Sequence, residues 1–242
     1  LPSTTKLSDD VIAALGQYDT PTICNAIELF EVRPRTSGYM NHHIQSCFPK
    51  MPPMVGYAVT TTWRASKPAD SVYEMLVHQV ETLANLDGPG VMVFEDVDSP
   101  SVAATFGEVM CSTYKAAGAA GIITSGAGRD LEQVEALSFP AFTSSTICSH
   151  GYCSVIDRDV PVCIGGIEVK PGDLLHGDAN GVTNIPHEIA DQIPDVCAKF
   201  AEAESFVLEY CKGSSFTCEG YEKAFAELHR HVRTIADSIK IS

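Results

Sequence analysis

Two short stretches hold the residues best suited to chemistry, FGEVM at Phe106–Met110 and GIITSGAGRD at Gly121–Asp130. In the second, Arg129 offers a planar fork of donors that can hold a small carboxylate through two hydrogen bonds. Its neighbour Asp130 offers hard oxygen to a divalent cation such as Mg²⁺. Side by side they could present an anion clamp and a metal to one small oxo acid. The plainer alternative is an exposed ion pair, or an aspartate that caps the helix expected over LEQVEAL. In the first stretch, Gly107 and Glu108 open an expected helix, whose free N–H groups and positive dipole end form a ready site for an anion.

The elements around these stretches are legible from periodicity and punctuation. Ile122 and Ile123 end a buried strand, and Gly126 and Gly128 allow a sharp turn or a close approach to a ligand. Arg129 and Asp130 therefore fall on a loop at the carboxyl end of a strand, where open α/β sheets bind ligands. Upstream, VMVFEDV after Gly88-Pro89-Gly90 reads as another buried strand, and Ala103–Ala120 as a turn feeding a helix. This β-α-β order predicts two parallel strands with both candidate stretches at one end of the layer.

Ser8 before DDVIAALGQY and Thr20-Pro21 before TICNAIELF mark two amino-terminal helices, the second ending ahead of a loop at Arg33–Tyr39. Asn25 and Glu28 read as the wet face of that second helix. Residues His42–Pro53 read as loop, Met54–Trp63 as a core strand and Asp70–Leu86 as a helix. After a helix near Glu132–Leu137, Phe139–Thr146 suggests one strand and His150–Asp159 a loop. Val160–Asn184 reads as a run of β-hairpins. Helical patterning resumes at His187, with a break expected at Pro194, a connector at Gly213–Cys218 and a last amphipathic helix at Glu219–Ile239. The neighbours His42 and His43 point opposite ways on an extended chain, and His229 and His231 fall on different helix faces. Neither pair suggests a shared metal.

The 242 residues are 45% hydrophobic, enough for one substantial core, and predict a single domain with appendages. A net charge of -15 with only 16 Lys and Arg argues against nucleic-acid binding. An acidic surface also repels anionic substrates, so a carboxylate site needs its own arginine or metal. No apolar run approaches the ~20 residues that span a bilayer, and LPSTTKLSDD lacks the order of a signal peptide. Nine cysteines without any CxxC pair suggest reduced thiols packed as small hydrophobes, hence a reducing, cytoplasmic setting.

FGEVM, GIITSGAGRD and VKPGDLLHGDANGVTNIP, in this order and approximate spacing, resemble the RraA-like family. That family includes metal-dependent 4-hydroxy-4-methyl-2-oxoglutarate aldolases and oxaloacetate decarboxylases. The resemblance covers roughly the central two-thirds of the chain. It implies an α/β fold of the swivelling β/β/α type, a core over about residues 50–186, a helical carboxyl-terminal extension over about 187–242, and a homotrimer or larger assembly with active sites between subunits. It further implies that Arg129 holds the oxo acid's carboxylate, that Asp130 ligates Mg²⁺ or Mn²⁺, and that Gly107 with the backbone N–H groups of Val109 and Met110 receives the pyruvyl portion. Glu108 stands where an acidic residue would hold metal-bound water, although many relatives carry Asp there, and that water or hydroxide is the candidate base. The neighbouring subunit's tail would add an acidic residue. Glu202, Glu204 and Glu209 are available, none of them in a recognisable motif. GDANG at Gly177–Gly181 reads as a hairpin turn with a mainly structural role.

The same family contains regulators that bind a ribonuclease without catalysis. Those generally lack the aspartate after the arginine, so its presence favours an enzyme. A methyltransferase is disfavoured, because no glycine-rich nucleotide loop opens the chain.

Overall fold

The computed structural model of the chain describes residues 7–68 and 72–239. Its helices are α1 (Asp9–Leu15), α2 (Thr20–Leu29), α3 (Val72–Ala84), α4 (Glu108–Ala116), α5 (Leu131–Ala136), α6 (Ile193–Lys212) and α7 (Cys218–Ser238). The strands of the first half are β1 (Gln45–Ser46), β2 (Met54–Arg64), β3 (Gly90–Asp96), β4 (Ala104–Phe106), β5 (Ala119–Thr124) and β6 (Ala127–Gly128). The second half adds β7 (Ala141–Thr143), β8 (Ser145–Thr146), β9 (Ser154–Arg158), β10 (Val162–Ile164), β11 (Ile167–Val169), β12 (Leu174–Asp178) and β13 (Gly181–Ile185). Asp70 and Ser71, expected to begin the third helix, lie outside the described residues. Among the described residues no helix is long and apolar enough to cross a membrane.

The spine is β2, whose eleven residues are mostly buried on both faces. One edge pairs in parallel with β3 from Tyr57↔Gly90 to Trp63↔Asp96. The other edge is shared: β12 takes Met54–Tyr57 and β9 takes Thr61–Arg64, both antiparallel. The main sheet runs β1-β7-β5-β3-β2-β12-β13. Its β3, β5 and β7 are parallel neighbours, as expected for strands linked by helical crossovers.

A second sheet was not anticipated. Each of β3, β5 and β7 ends and the chain passes into a short strand, β4, β6 or β8, and these three pair in parallel in the same order. The segment Phe139–Thr146 is therefore two strands in two sheets rather than one. At its break, the Thr143 and Ser144 hydroxyls both donate to the Gly126 carbonyl, at 2.7 and 2.8 Å. Such side-chain bonds replace ladder bonds where the backbone changes sheet.

Two further expectations are corrected. Within the expected loop His150–Asp159, Ser154–Arg158 forms β9, whose SVIDR, exposed from Ile156 onward, carries little hydrophobic signal but finds a template in the open half of β2. Pro194 opens α6 rather than breaking a helix, since a proline in the first turn lacks an N–H that needs no partner there.

Side-chain packing fixes α4 over the main sheet. Trp63 meets Phe94 edge to face at 5.9 Å, and Phe94 meets the α4 residue Tyr114 at 6.3 Å. Burying rings of this size stabilises the layer by about 1.5–3 kcal/mol each. The Tyr114 hydroxyl donates to Gln79 on α3, whose amide donates in turn to Thr61 on β2 at 3.2 Å.

The stretch HGD of β12 ties the amino-terminal helices to the sheet. Asp178 accepts from the Thr20 amide at 2.9 Å and from the Asn180 amide at 2.7 Å. His176 Nε2 lies 3.2 Å from the Leu15 carbonyl, so that nitrogen carries the proton and Nδ1 accepts from the Thr20 hydroxyl at 3.0 Å. Burial lowers the His176 pKa from its ordinary 6.5, since a charged ring there would lose its water. The unfolded chain therefore binds more protons than the folded chain just below that value. The stability held by the neutral ring is complete above about 6.5 and declines as pH falls toward the lowered folded value. Chemical denaturation at pH 7.5 and 5.5 should show a loss of stability on acidification that is smaller in His176→Asn than in the unaltered chain.

Candidate active site

The site lies where the second sheet ends. From the carboxyl ends of the parallel strands β4, β6 and β8 emerge, respectively, Gly107 with α4, Arg129 with Asp130 and α5, and the loop Ile147–Cys153. The register Phe106↔Gly128 and Gly128↔Thr146 sets these exits side by side. FGEVM and GIITSGAGRD are thus brought together.

Asp130 occupies the N-cap position of α5 but does not cap it. Its backbone is left-handed, with φ 55° and ψ 38°, and its side chain makes no hydrogen bond to its own helix. The carboxylate turns back instead, and Oδ2 accepts from the Glu108 amide at 3.1 Å, at the start of α4. Arg129 Nε lies 3.7 Å from the same oxygen. A left-handed aspartate costs about 1–3 kcal/mol of backbone strain, of the kind found at functional sites. The ion pair itself is a third exposed and contributes little to stability.

Gly107 makes this approach possible. A Cβ on it would stand 2.6 Å from Asp130 Oδ2 and 3.0 Å from Arg129 Nε. Its backbone is extended, so space is the constraint rather than dihedral angle.

A pocket of about 240 Å³ opens beside the pair. Arg129, Gly107, Val109 and Met110 line it, together with Phe106 and Thr105 of β4. The first N–H groups of α4 have no carbonyl of their own helix to bond, so those of Val109 and Met110 remain as donors at the pocket. Asp130 and Glu108 flank the pocket rather than line it, with the Glu108 side chain exposed at the first position of α4. Of the tail carboxylates, Glu209 pairs with Lys212 at 2.8 Å, Glu202 is exposed, and burial with the nearby Asp19 charge raises the Glu204 pKa.

The pocket also contains His150, Tyr152 and Cys153, from the segment expected to be a loop. The available signal was positional. They follow a strand in the same array as β4 and β6, but that array was itself unseen.

The model of the RraA-like family, described as Aldolase/RraA, matches residues 20–183. The chain belongs to the RraA-like family. Among its relatives, a protein of Halalkalibacterium halodurans named "Putative 4-hydroxy-4-methyl-2-oxoglutarate aldolase" is 36% identical over 99 residues, which are 40% of this chain and 47% of that one. The chain thus spans about half the length of the curated relative it matches. The RraA-like fold is shared with solved structures at lower identity. An uncharacterized protein from Pseudomonas syringae superposes with a TM-score of 0.72 at 20% identity, covering 92% of this chain and 96% of that one. Streptomyces coelicolor RraAS2, described as an unusual member of the RNase ES inhibitor RraA protein family, gives 0.66 at 22% identity, covering 83% and 98%.

Gly107→Ala should displace the Asp130 carboxylate and free the Glu108 amide while leaving the fold intact. The expected result is faster hydrogen exchange at the Glu108 amide, with global stability changed by no more than about 1.5 kcal/mol, the scale of one hydrogen bond.

Proposed function

We propose that the protein is a divalent-metal-dependent lyase that cleaves a carbon–carbon bond of a 4-hydroxy-2-oxo acid, or of oxaloacetate, to release pyruvate. The observation that carries this reading is that Arg129 and the unpaired N-terminal amides of α4 open into one pocket, with Asp130 fixed beside them. A guanidinium fork and oriented N–H groups suit a carboxylate next to an oxygen that gains negative charge. A regulator needs no such arrangement, and the family model's joint description as Aldolase/RraA accommodates either.

Asp130 fits a hard cation that keeps most of its waters. Oδ2 is engaged by the Glu108 amide, the side chain is about a third exposed, and Mg²⁺ or Mn²⁺ commonly takes one or two carboxylates. Among the described residues no cluster of three His, Cys, Asp or Glu could hold a metal, so a cage made by those residues alone does not fit. When bound, the ion would supply Lewis-acid polarisation of the 2-oxo group. Arg129 holds the carboxylate and sets the plane of the oxo acid. The amides of Val109 and Met110 stabilise the charge that gathers on the pyruvyl portion as the bond breaks. Glu108, at the flank of the pocket, would hold the water that takes the proton of a C4 hydroxyl, and decarboxylation of oxaloacetate omits that transfer. A homotrimer with the site at a subunit boundary would complete the pocket with a carboxylate from the neighbouring tail.

Pyruvate release from both substrates should require Mg²⁺ or Mn²⁺ and stop with EDTA. Asp130→Ala should lose metal-dependent turnover, while Arg129→Ala should chiefly raise KM, by about ten-fold or more, the scale of one charged hydrogen bond. Full metal-dependent turnover by Asp130→Ala would show the site to be misassigned. Tight ribonuclease binding without turnover of any oxo acid would place the protein among the regulators.

A further inference from the structure

The wall of the pocket opposite in character to the Arg129 fork is built by the loop after β8. Three features hold that loop in place. The Ser149 carbonyl accepts from the Ala104 amide at 2.7 Å, and the Tyr152 amide donates to the Ala65 carbonyl at 3.0 Å. Between them Gly151 has φ 54°, and a Cβ there would stand 2.6 Å from the Ala65 carbonyl oxygen. Cys153 is also left-handed, with φ 52°. The loop is therefore backbone-pinned and strained, as loops that present side chains to a ligand often are.

What the loop presents is largely apolar. Tyr152 and Val109 are 58% and 73% exposed, and with Met110 and Cys153 they form the surface a substrate's far end would meet. His150 is engaged within its own loop, its Nδ1 2.8 Å from the Gly151 carbonyl and 3.5 Å from the Cys153 sulfur. Among the described residues lining the pocket, Arg129 is the one Lys or Arg.

These facts bear on substrate choice. The fork is taken by the carboxylate of the 2-oxo acid itself. A second carboxylate at C4 would meet a thiol, a thioether, a valine, a phenol and the imidazole of His150, with no lysine or arginine beside Arg129 among the described lining residues, on a chain whose net charge is already -15. Drawing a carboxylate out of water with no full opposite charge beside it is penalised, whereas an uncharged group gains from the same surface. An aromatic group would gain further against Tyr152.

We propose that the preferred substrates are 4-hydroxy-2-oxo monocarboxylic acids with an uncharged, apolar or aromatic C4 substituent, selected by Tyr152 on the pinned loop Ser149–Cys153. This rests on the lyase reading. In the reaction the C3–C4 bond breaks and the C4 hydroxyl gives up its proton as C4 becomes an aldehyde carbonyl. The bonding pair stays on C3, which takes a proton to become the methyl group of pyruvate. No oxidant or reductant is involved.

The test compares kcat/KM of the full chain with Mg²⁺ on 4-hydroxy-2-oxo-4-phenylbutanoate, which yields pyruvate and benzaldehyde, and on the dicarboxylate 4-hydroxy-4-methyl-2-oxoglutarate. The phenyl substrate should be favoured by about ten-fold or more, the scale of one misplaced polar group. Tyr152→Ala should lower kcat/KM for the phenyl substrate alone. Tyr152→Arg should move the preference toward the dicarboxylate. In both variants inhibition by oxalate, which occupies only the pyruvyl portion, should be unchanged and so report an intact site. Preference of the unaltered chain for the dicarboxylate, or an unmoved ratio in both variants, would overturn this inference while leaving the lyase reading in place. Cleavage of neither adduct would overturn this inference, and failure to decarboxylate oxaloacetate as well would overturn the lyase reading with it.

Discussion

Everything at the site depends on where the Asp130 carboxylate points. A left-handed backbone turns it away from α5 and onto the Glu108 amide, so one side chain joins the exit of β6 to the start of α4. That contact decides which helix end remains open. With Glu108 N–H satisfied by Asp130, the next amides, of Val109 and Met110, are the ones left facing the pocket. Arg129 Nε is held toward the same oxygen, which leaves the rest of the guanidinium for an incoming anion. The absence of a side chain at Gly107 is what lets the three meet.

The scaffold beneath follows from the handover between sheets. Because β3, β5 and β7 lie in one order and β4, β6 and β8 repeat it, the chain crosses from the main sheet to the short one three times in the same order. The main sheet has the apolar area to fix its strands. The short sheet is buried along β4 and β6 and exposed at β8, and it is also held by bonds such as those converging on the Gly126 carbonyl. Tyr114, Gln79 and Thr61 perform a similar service from below, locking α4 by a buried relay of polar groups.

The parts legible in the sequence were those with long periodic signals. The β2 and β3 strands, the helices at both ends and the two hairpins over Val160–Asn184 all show in apolar spacing and turn residues. That Arg129, Asp130, Gly107, Val109 and Met110 lie close together was also legible, through residue types at strand and helix ends. The short sheet was not, because strands of two or three residues have no period to detect and are specified by their neighbours. The orientation of Asp130 was hidden for a related reason. An aspartate before an amphipathic run is the usual mark of a cap, and only the closeness of α4 redirects it. With β8 unseen, His150, Tyr152 and Cys153 could not be assigned to the pocket.

On the proposed reading, the pinned loop after β8 separates two tasks that many sites combine. Its path is secured by main-chain bonds to Ala65 and Ala104, and those bonds do not depend on which side chains stand at 150, 152 and 153. The groups suited to bond cleavage come from β4, β6 and α4, on other segments. A lineage could therefore alter what it recognises by exchanging three side chains, with neither the folding core nor the reacting groups disturbed. In an architecture of this kind, diversification of diet and preservation of chemistry proceed on different pieces of chain.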